Sequence, residues 1–508
     1  MKLIKNKHFI DKNLTNEDIS FVPLPHQIKT ANKVINDLNG RAILADEVGL
    51  GKTIEAGLIL KEYIKRGEID KLLILVPASL GFQWINEMIH KFNMKNIWFN
   101  RKARGRGWEY FDYQIVSLDK AKREEHAKYL RNINFDMVIV DEAHKLKNRN
   151  TLNWKFVNSL KKKYCLLLTA TPIHNDLKEL YNLISILYPD LYNCFKDFKE
   201  KYKAKEYLVK NSDNLKNDLN QVMIRNHQKD TILNFSKRNI KQIFVKLSYE
   251  EKKLYNMVTN YVKYEYEKRK NSNKSILNLL TYQRELCSSF YALKSTLSKK
   301  EHLSPALQKI YNSIQMFNIS SKLKKTGEIL KENQCQTIIF TEYRATQRYI
   351  ANYLNDLGYD VILFNGSFSS NNKEYIKNIF QEKKDIMIST EAGSQGLNLQ
   401  FCNVMINYDL PWNPMKIEQR IGRIHRLGQT KDVIIYNLAT KNTIEEKILK
   451  ILYKKIFLFK DVIGDMQNIL LEKDSSFESD IMHILNKSST EKEMERKIDN
   501  LFSQKVSS

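Results

Sequence analysis

The stretch "ADEVGLGKTIEAG", Ala45 to Gly57, decides how this chain is read. It sets two glycines, a lysine and a threonine between a short apolar run, "RAILA" (Arg41–Ala45), and a helical pattern, "KTIEAGLILKEYIKRG", that Gly67 closes. A loop between a strand and a helix can cradle phosphates. Gly49 and Gly51, flanking Leu50, let backbone N–H groups approach phosphate oxygens, and the helix N-terminus adds its positive end. Lys52 can reach the β and γ phosphates, and Thr53 can offer a hydroxyl to Mg²⁺. The strict G-x-x-x-x-G-K-[ST] pattern fails at its first glycine, where Asp46 stands. Alone, the loop leaves two readings open: a nucleotide loop, or a helix start that is rich in glycine.

Working outward, runs like "RAILA" recur. "KLLILV" (Lys71–Val76), "YQIVS" (Tyr113–Ser117), "DMVIV" (Asp136–Val140) and "YCLLL" (Tyr164–Leu168) share its length and uniform apolarity. They are too short for helices and too evenly apolar for one-sided strands. Buried parallel strands joined by helical crossovers fit them. A second set follows: "QTIIF" (Gln336–Phe340), "VILF" (Val361–Phe364), "DIMIS" (Asp385–Ser389), "VMINY" (Val404–Tyr408) and "VIIYNL" (Val433–Leu438). The fold class is therefore α/β, with two lobes in tandem. Between them, about Tyr249 to Ser320, the chain is rich in Lys, Tyr and Asn. Leu254, Val258 and Tyr261 fall at helical spacing there, as do Leu286, Phe290 and Leu293. This predicts a helical insertion. The end of the chain, with "STEKEMERKIDNLF", reads as an exposed charged helix.

Two more pieces carry chemistry. In "VIVDEAHKLKN", Asp141 and Glu142 follow a strand directly and project at the sheet's C-terminal edge. Asp141 would complete a Mg²⁺ shell and Glu142 would polarise the attacking water, the groups that phosphoryl transfer needs. In "MKIEQRIGRIHRLGQ", a helix starting past Pro414 puts Gln419, Arg423 and Arg426 on one face and Ile417, Ile421 and Ile424 on another. Arginines aimed from one helix suit a γ-phosphate at the seam between lobes. Taken singly, the first piece also fits an acidic helix cap and the second a solvated basic face.

Composition narrows the partners. The 508 residues carry a net charge of +25, which favours a polyanion, and phosphate backbones are the commonest one. The five cysteines form no C-x-x-C pair, which argues against a disulfide framework or a zinc site. The densest apolar run stops at Pro77, far short of a membrane span, and the N-terminus lacks a signal-peptide core. A cytoplasmic location is the default expectation.

In this order, the pieces resemble the motors of helicase superfamily two, specifically the SWI/SNF-related ATPases. "DEVGLGKTIEAG" is similar to their first motif, and Val48 makes it most similar to the bacterial RapA/HepA-like branch. "LVPASL" with Gln83-Trp84 resembles motif Ia, "DEAHKLKN" motif II, and "LTATPIHN" (Leu168–Asn175) motif III. "IIFTEYR" (Ile338–Arg344), "STEAGSQGLNL" (Ser389–Leu399) and "DLPWNPMKIEQRIGRIHRLGQ" (Asp409–Gln429) resemble motifs IV, V and VI. "LPHQ" resembles the adenine-reading glutamine motif, and "NTIEEKIL" (Asn442–Leu449) the helix after motif VI. Two departures stand out: Ala170 where motif III usually has Gly, and Gln395 where motif V commonly has a small residue.

The resemblance implies two RecA-like lobes, each a parallel sheet with helices on both faces, with ATP and Mg²⁺ in the cleft. It spans about residues 20 to 465. It assigns adenine to Gln27. Gly49, Leu50, Gly51, Lys52 and Thr53 would bind phosphate, with Thr53 and Asp141 on the metal. Hydrolysis falls to Glu142 with Asp141 and Lys52, and His144 couples motif II to motif III. Arg423 and Arg426 would act as fingers beside Gln419. Ser79, Thr169, Thr171, Thr341, Gly393, Gly396, Asn398 and Trp412 would couple to, or line, the DNA track. The implied organisation is an ATP-binding lobe over 1–248, a helical insertion over 249–320, a second lobe over 321–470 and a charged tail over 471–508. The implied activity is ATP-driven translocation on double-stranded DNA through sequence-independent backbone contacts, or remodelling of protein–DNA complexes. A protein partner and a defence or repair setting are further expectations. The flanking domains that tie RapA-like proteins to RNA polymerase find no room here, so polymerase recycling is not expected. Two alternatives stay open: a strand-separating DNA or RNA helicase, and a DNA-binding scaffold with a vestigial motor.

Overall fold

Strands form wherever the chain offers an apolar run that helices can cover on both faces. In the computed structural model the described residues are 14–15, 17–47, 49–100, 105–169, 177–189, 191, 194–205, 208–209, 218–226, 236–269, 277–366, 370–390, 398–411, 414–426 and 428–449. Val48, Ala170, Thr171, Gly393, Gln395, Gly396, Trp412 and the 471–508 tail lie outside them. The chain divides into two compact units at Leu233/Asn234.

The first unit holds β1 (Arg41–Leu44), β2 (Leu72–Val76), β3 (Ile97–Phe99), β4 (Tyr113–Ser117), β5 (Asn134–Asp141) and β6 (Lys161–Leu168). A small hairpin, β7 (Lys203–Lys205) and β8 (Leu208–Val209), and then β9 (Met223–Ile224) follow. The main sheet runs β3-β4-β2-β5-β6-β1-β9. Its pairs are parallel; Arg41 to Leu44, for example, face Cys165 to Leu168. Successive side chains of a strand point to opposite faces, and each face has its own core. Ile43, Leu73, Leu75, Val138 and Leu167 pack on one side; Leu44, Leu72, Ile74, Ile139 and Leu168 pack on the other. This two-sided burial explains why the strands read as unbroken apolar runs.

The second unit is built the same way from β10 (Arg238–Val245), β11 (Thr337–Thr341), β12 (Val361–Phe364), β13 (Ile386–Thr390), β14 (Val404–Asn407) and β15 (Val433–Thr440). The order is β10-β15-β14-β11-β13-β12, again with parallel pairs. β10 pairs with β15 along its whole length, from Arg238↔Val433 to Val245↔Thr440. The lobe boundary expected at residue 248 therefore moves upstream, because β10 belongs to the second sheet.

The insertion is helical: Tyr249–Arg269, Leu277–Ser288, Phe290–Leu297 and Pro305–Ile314. Leu254, Val258, Leu286, Phe290 and Leu293 are buried in one core with Ile338, Phe340 and Met405 of the second sheet. Leu286 and Phe290 nonetheless sit on separate helices. Ser289 is extended between them (φ −164°) and its side chain accepts from the Ala292 amide, an N-cap that restarts the helix. Helical spacing in sequence runs through a break of one residue, so periodicity alone does not show it.

Candidate nucleotide site

The site of the first unit grows from the C-terminal ends of its central strands, where parallel sheets bind ligands. β1 ends at Leu44 and the helix Lys52–Lys65 begins six residues past Asp46. The turn between them is left-handed at Gly49 (φ 95°) and Gly51 (φ 93°), a conformation that favours glycine. Gly51 is also a close approach: a Cβ there would lie 2.6 Å from Gln27 Nε2. Lys52 curls back, its Nζ donating to the carbonyls of Asp46 (2.8 Å) and Glu47 (3.3 Å). Burial lowers the Lys52 pKa, while the charges of Asp46, Glu142, Glu55 and Asp141 oppose that shift. The lysine thus stands in electrostatic reach of both carboxylates of the D-E pair, 89 and more residues along the chain. The loop after β1 and the acidic pair at the end of β5 lie at the same edge of one parallel sheet, with β6 between the two strands.

Asp46, which breaks the strict loop pattern, has a structural task. It is wholly buried, and its carboxylate accepts from the Asn226 amide (2.8 Å) and from Asn226 Nδ2. Asn226 Nδ2 also donates to Thr30 Oγ1 (2.8 Å). The loop's entry is thereby fastened to the segment after β9 and to the helix Pro25–Asn36. No local pattern marks Asn226, which lies 180 residues from Asp46 in sequence. Gln27 fastens the other end of the loop. Its Oε1 accepts from the Leu24 amide and its Nε2 donates to the Leu50 carbonyl, both at 3.0 Å. His26 Nε2 lies 3.1 Å from the same carbonyl. Gln27 is buried with both amide groups engaged on the protein, so what its contacts display is support of the loop.

β5 ends at Asp141, and Glu142 follows in the left-handed region (φ 52°), a conformation rare for non-glycine residues and frequent at functional sites. Asp141 Oδ1 accepts from the Glu142 amide and Oδ2 from the indole of Trp84, both at 2.8 Å. Burial first, and the adjacent Glu142 charge second, push the Asp141 carboxyl up to about 6. A carboxylate so desolvated favours a nearby cation. Thr53, in the first turn of the helix Lys52–Lys65, and Asp141, at the end of β5, each offer a hard oxygen of the kind magnesium prefers. His144 Nδ1 lies 3.0 Å from Glu142 Oε2. Thr169, at the end of β6, is buried and its amide donates to the Leu44 carbonyl (3.0 Å), tying motif III to β1. Ser79 is half-buried after β2.

In the second unit the helix Pro414–Ile424 buries Ile417, Ile421 and Ile424, as its periodicity predicted. Gln419 and Arg423 are half-buried, one turn apart. Arg426 departs from the expectation: the helix ends at Ile424, so Arg426 lies beyond it, its Nε turned back onto the Gly422 carbonyl. Thr341 is a correction. It is wholly buried and its hydroxyl donates to Asp409, so its side chain faces the core and not a nucleic-acid track. Asn398 is exposed, its side chain bonded to Gln400.

Residues 26–292 match the model of the SNF2-related domain, and residues 321–428 match that of the helicase conserved C-terminal domain. The chain belongs to the SNF2-related family. As an SNF2-related protein it is an enzyme, a nucleic-acid-dependent ATPase of the helicase type. It is 46% identical to the uncharacterized ATP-dependent helicase YqhH of Bacillus subtilis, over 95% of this chain and 87% of that one. It is 27% identical to the ISWI chromatin-remodeling complex ATPase ISW1 of Saccharomyces cerevisiae, over 90% of this chain and 42% of the relative. Among solved structures, the Sulfolobus solfataricus SWI2/SNF2 ATPase core in complex with dsDNA is similar at 26% identity, covering 89% and 95% of the two chains with a TM-score of 0.44. These names assign the chain to no particular branch of the family, RapA/HepA-like or other. No described helix of the SNF2-related chain is long and apolar enough to cross a membrane.

Proposed function

We propose that this SNF2-related ATPase is a translocase on double-stranded DNA, stepping along phosphates without reading bases. The observation that carries the ATP half is the convergence of Lys52 with Asp141 and Glu142 at one sheet edge. The net charge of +25 supports the DNA half, since a tracking motor needs sequence-blind phosphate contacts. The Saccharomyces cerevisiae relative, a chromatin-remodeling complex ATPase, points the same way.

In this reading Gly49, Leu50, Gly51 and Lys52 hold the phosphates, and Gln27 and His26 keep the loop in shape. Thr53 and Asp141 would hold a magnesium ion, which when bound supplies charge neutralisation on the phosphate oxygens. Glu142, left-handed in its backbone and in contact with His144, orients the attacking water. Arg423 and Arg426 are the residues of the second unit that would offer positive charge to a phosphoryl group, with the uncharged Gln419 beside them. Gln27 also reads adenine. Ser79, Thr169, Thr171, Gly393, Gly396, Asn398 and Trp412 relate the nucleotide to the DNA track.

A panel of ATPase assays with duplex DNA, single-stranded DNA and RNA tests this, alongside displacement of a third strand from duplex DNA. Duplex stimulation with displacement is the expected result. Turnover stimulated by RNA alone would end the proposal. Strand separation is the second reading, because the 46% identical relative is named a helicase; unwinding of a forked duplex would favour it.

A further inference from the structure

Trp84 is the side chain at the nucleotide site for which neither the motif pattern nor the loop chemistry supplies a task. It is 1% exposed and sits on the helix Gly81–His90, which follows β2 directly. That helix is wedged in place. A Cβ on Gly81 would lie 2.1 Å from the Phe99 ring, and Phe82 meets the same ring edge-on at 5.3 Å. The helix therefore presents the indole from a fixed position.

Its N–H reaches Asp141 Oδ2 at 2.8 Å. An indole nitrogen only donates, so the contact holds Asp141 as an acceptor and cannot reverse its sense as a hydroxyl could. The other oxygen, Oδ1, is taken by the Glu142 amide. One donor on each oxygen sets the plane of the carboxylate, and the remaining lone pairs are left to a cation.

We propose that Trp84 is a positioning residue, whose indole N–H fixes the plane of Asp141 so that this carboxylate meets a divalent cation in the geometry that hydrolysis needs. The proposal rests on the reading of Asp141 as a metal ligand, and the test separates the two. Mn²⁺ is titrated, with ADP present, into the wild-type chain, Trp84→Phe and Asp141→Asn, and binding is followed by the loss of free-ion electron paramagnetic resonance signal. Fluorescent ADP binding is measured in parallel in EDTA. Trp84→Phe keeps the buried ring and deletes only the donor. It should weaken Mn²⁺ binding about ten-fold, the scale of one hydrogen bond to a charged group, and leave metal-free ADP binding within about two-fold.

If Asp141→Asn abolishes Mn²⁺ binding while Trp84→Phe binds it as the wild type does, positioning by Trp84 is wrong and the metal reading survives. If Asp141→Asn binds Mn²⁺ normally, the metal reading itself fails, and the proposal with it. A readout on the wild type alone covers the case of a variant that does not fold. An ion on Asp141 lies close enough to the indole for paramagnetic Mn²⁺ to quench tryptophan emission beyond the effect of Mg²⁺. Identical emission with the two ions overturns the proposal.

Discussion

At the residue scale, the glycine loop after β1 is held by groups outside it. Asn226 serves Asp46 through both its amide and its side chain, and also reaches Thr30. Truncation to alanine keeps the backbone donor and strips the side-chain donors from a fully buried carboxylate. Leaving a buried acceptor short costs about 1–3 kcal/mol. Asn226→Ala should therefore lower the unfolding free energy by about 2 kcal/mol, read from chemical denaturation, and weaken nucleotide binding as the loop loosens. An unchanged denaturation midpoint would show that water replaces the side chain without loss. Asp46 also shows how a failed motif can mislead. The position that usually carries glycine carries an anchor here, and the two glycines that matter, Gly49 and Gly51, are the ones with left-handed backbone. The sequence exposed those glycines because only their residue type tolerates the turn. It hid Asn226 and Trp84 because their partners are 180 and 57 residues away.

At the element scale, the helical insertion is joined to the second sheet by buried charge as well as by apolar packing. Lys322, on the helix Ser321–Glu332, is 3% exposed and lies between Asp409 (3.5 Å) and Glu445 (2.5 Å). Asp409 also accepts from Ser288 at the end of an insertion helix, from Thr341 and from the Glu342 amide, while Arg420 donates to its carbonyl. One residue thus gathers the insertion and β11 through its carboxylate and the arginine-bearing helix through its backbone carbonyl. Lys322→Ala would leave two carboxylates buried without their cation, a loss of about 3–5 kcal/mol. Thermal unfolding should drop accordingly, and a further Glu445→Gln change should recover part of it.

The same insertion carries a pH effect. Burial pushes Glu285 up to about 7, with Thr296 donating to its Oε1. A raised carboxyl pKa means that the folded state keeps its proton longer than the unfolded chain. Stability is then lost as pH rises from about 4.5 to 7, and the penalty persists above that range. Glu285→Gln should stabilise the protein at pH 8 by about 1–2 kcal/mol and change nothing at pH 4.5. Equal stabilisation at both pH values would point to packing instead of charge. The insertion's helical character was legible from Leu254 and Val258. The break at Ser289 was not, since a serine reads equally well inside a helix or at its cap, and its partners decide which.

At the scale of the whole molecule, the charge of +25 makes salt the natural probe. Neutralising several phosphates releases counterions, so duplex affinity should fall at least about ten-fold between 50 and 200 mM salt. Stimulation of ATPase by duplex should fall in parallel, and turnover without DNA should change far less. Both can be measured in one titration. A stimulation indifferent to salt would place the positive surface outside the DNA contact. The division into units also belongs here. β10 lies within the segment first allotted to the ATP-binding lobe, yet its pairing with β15 makes it part of the second sheet. As a mostly exposed edge strand it has no continuous apolar run, and its sequence could not say which sheet it would join.

The sequence by itself determined two α/β units, five strands of each main sheet, and the loop and acidic pair that end β1 and β5; β3, β9 and β10 of those sheets escaped it. What it determined rests on local signals: apolar runs for two-sided burial, glycine for left-handed turns, and periodicity for buried helix faces. Tertiary structure alone decided which side chains hold those groups in place: Trp84 on Asp141, Asn226 on Asp46, Lys322 between Asp409 and Glu445. It also ended the arginine-bearing helix before Arg426 and turned Thr341 inward. The reason is physical. A hydrogen bond needs two groups brought within about 3 Å, and for groups far apart in the chain that distance is set by the packing of whole elements, on which the neighbouring residues in sequence carry no information.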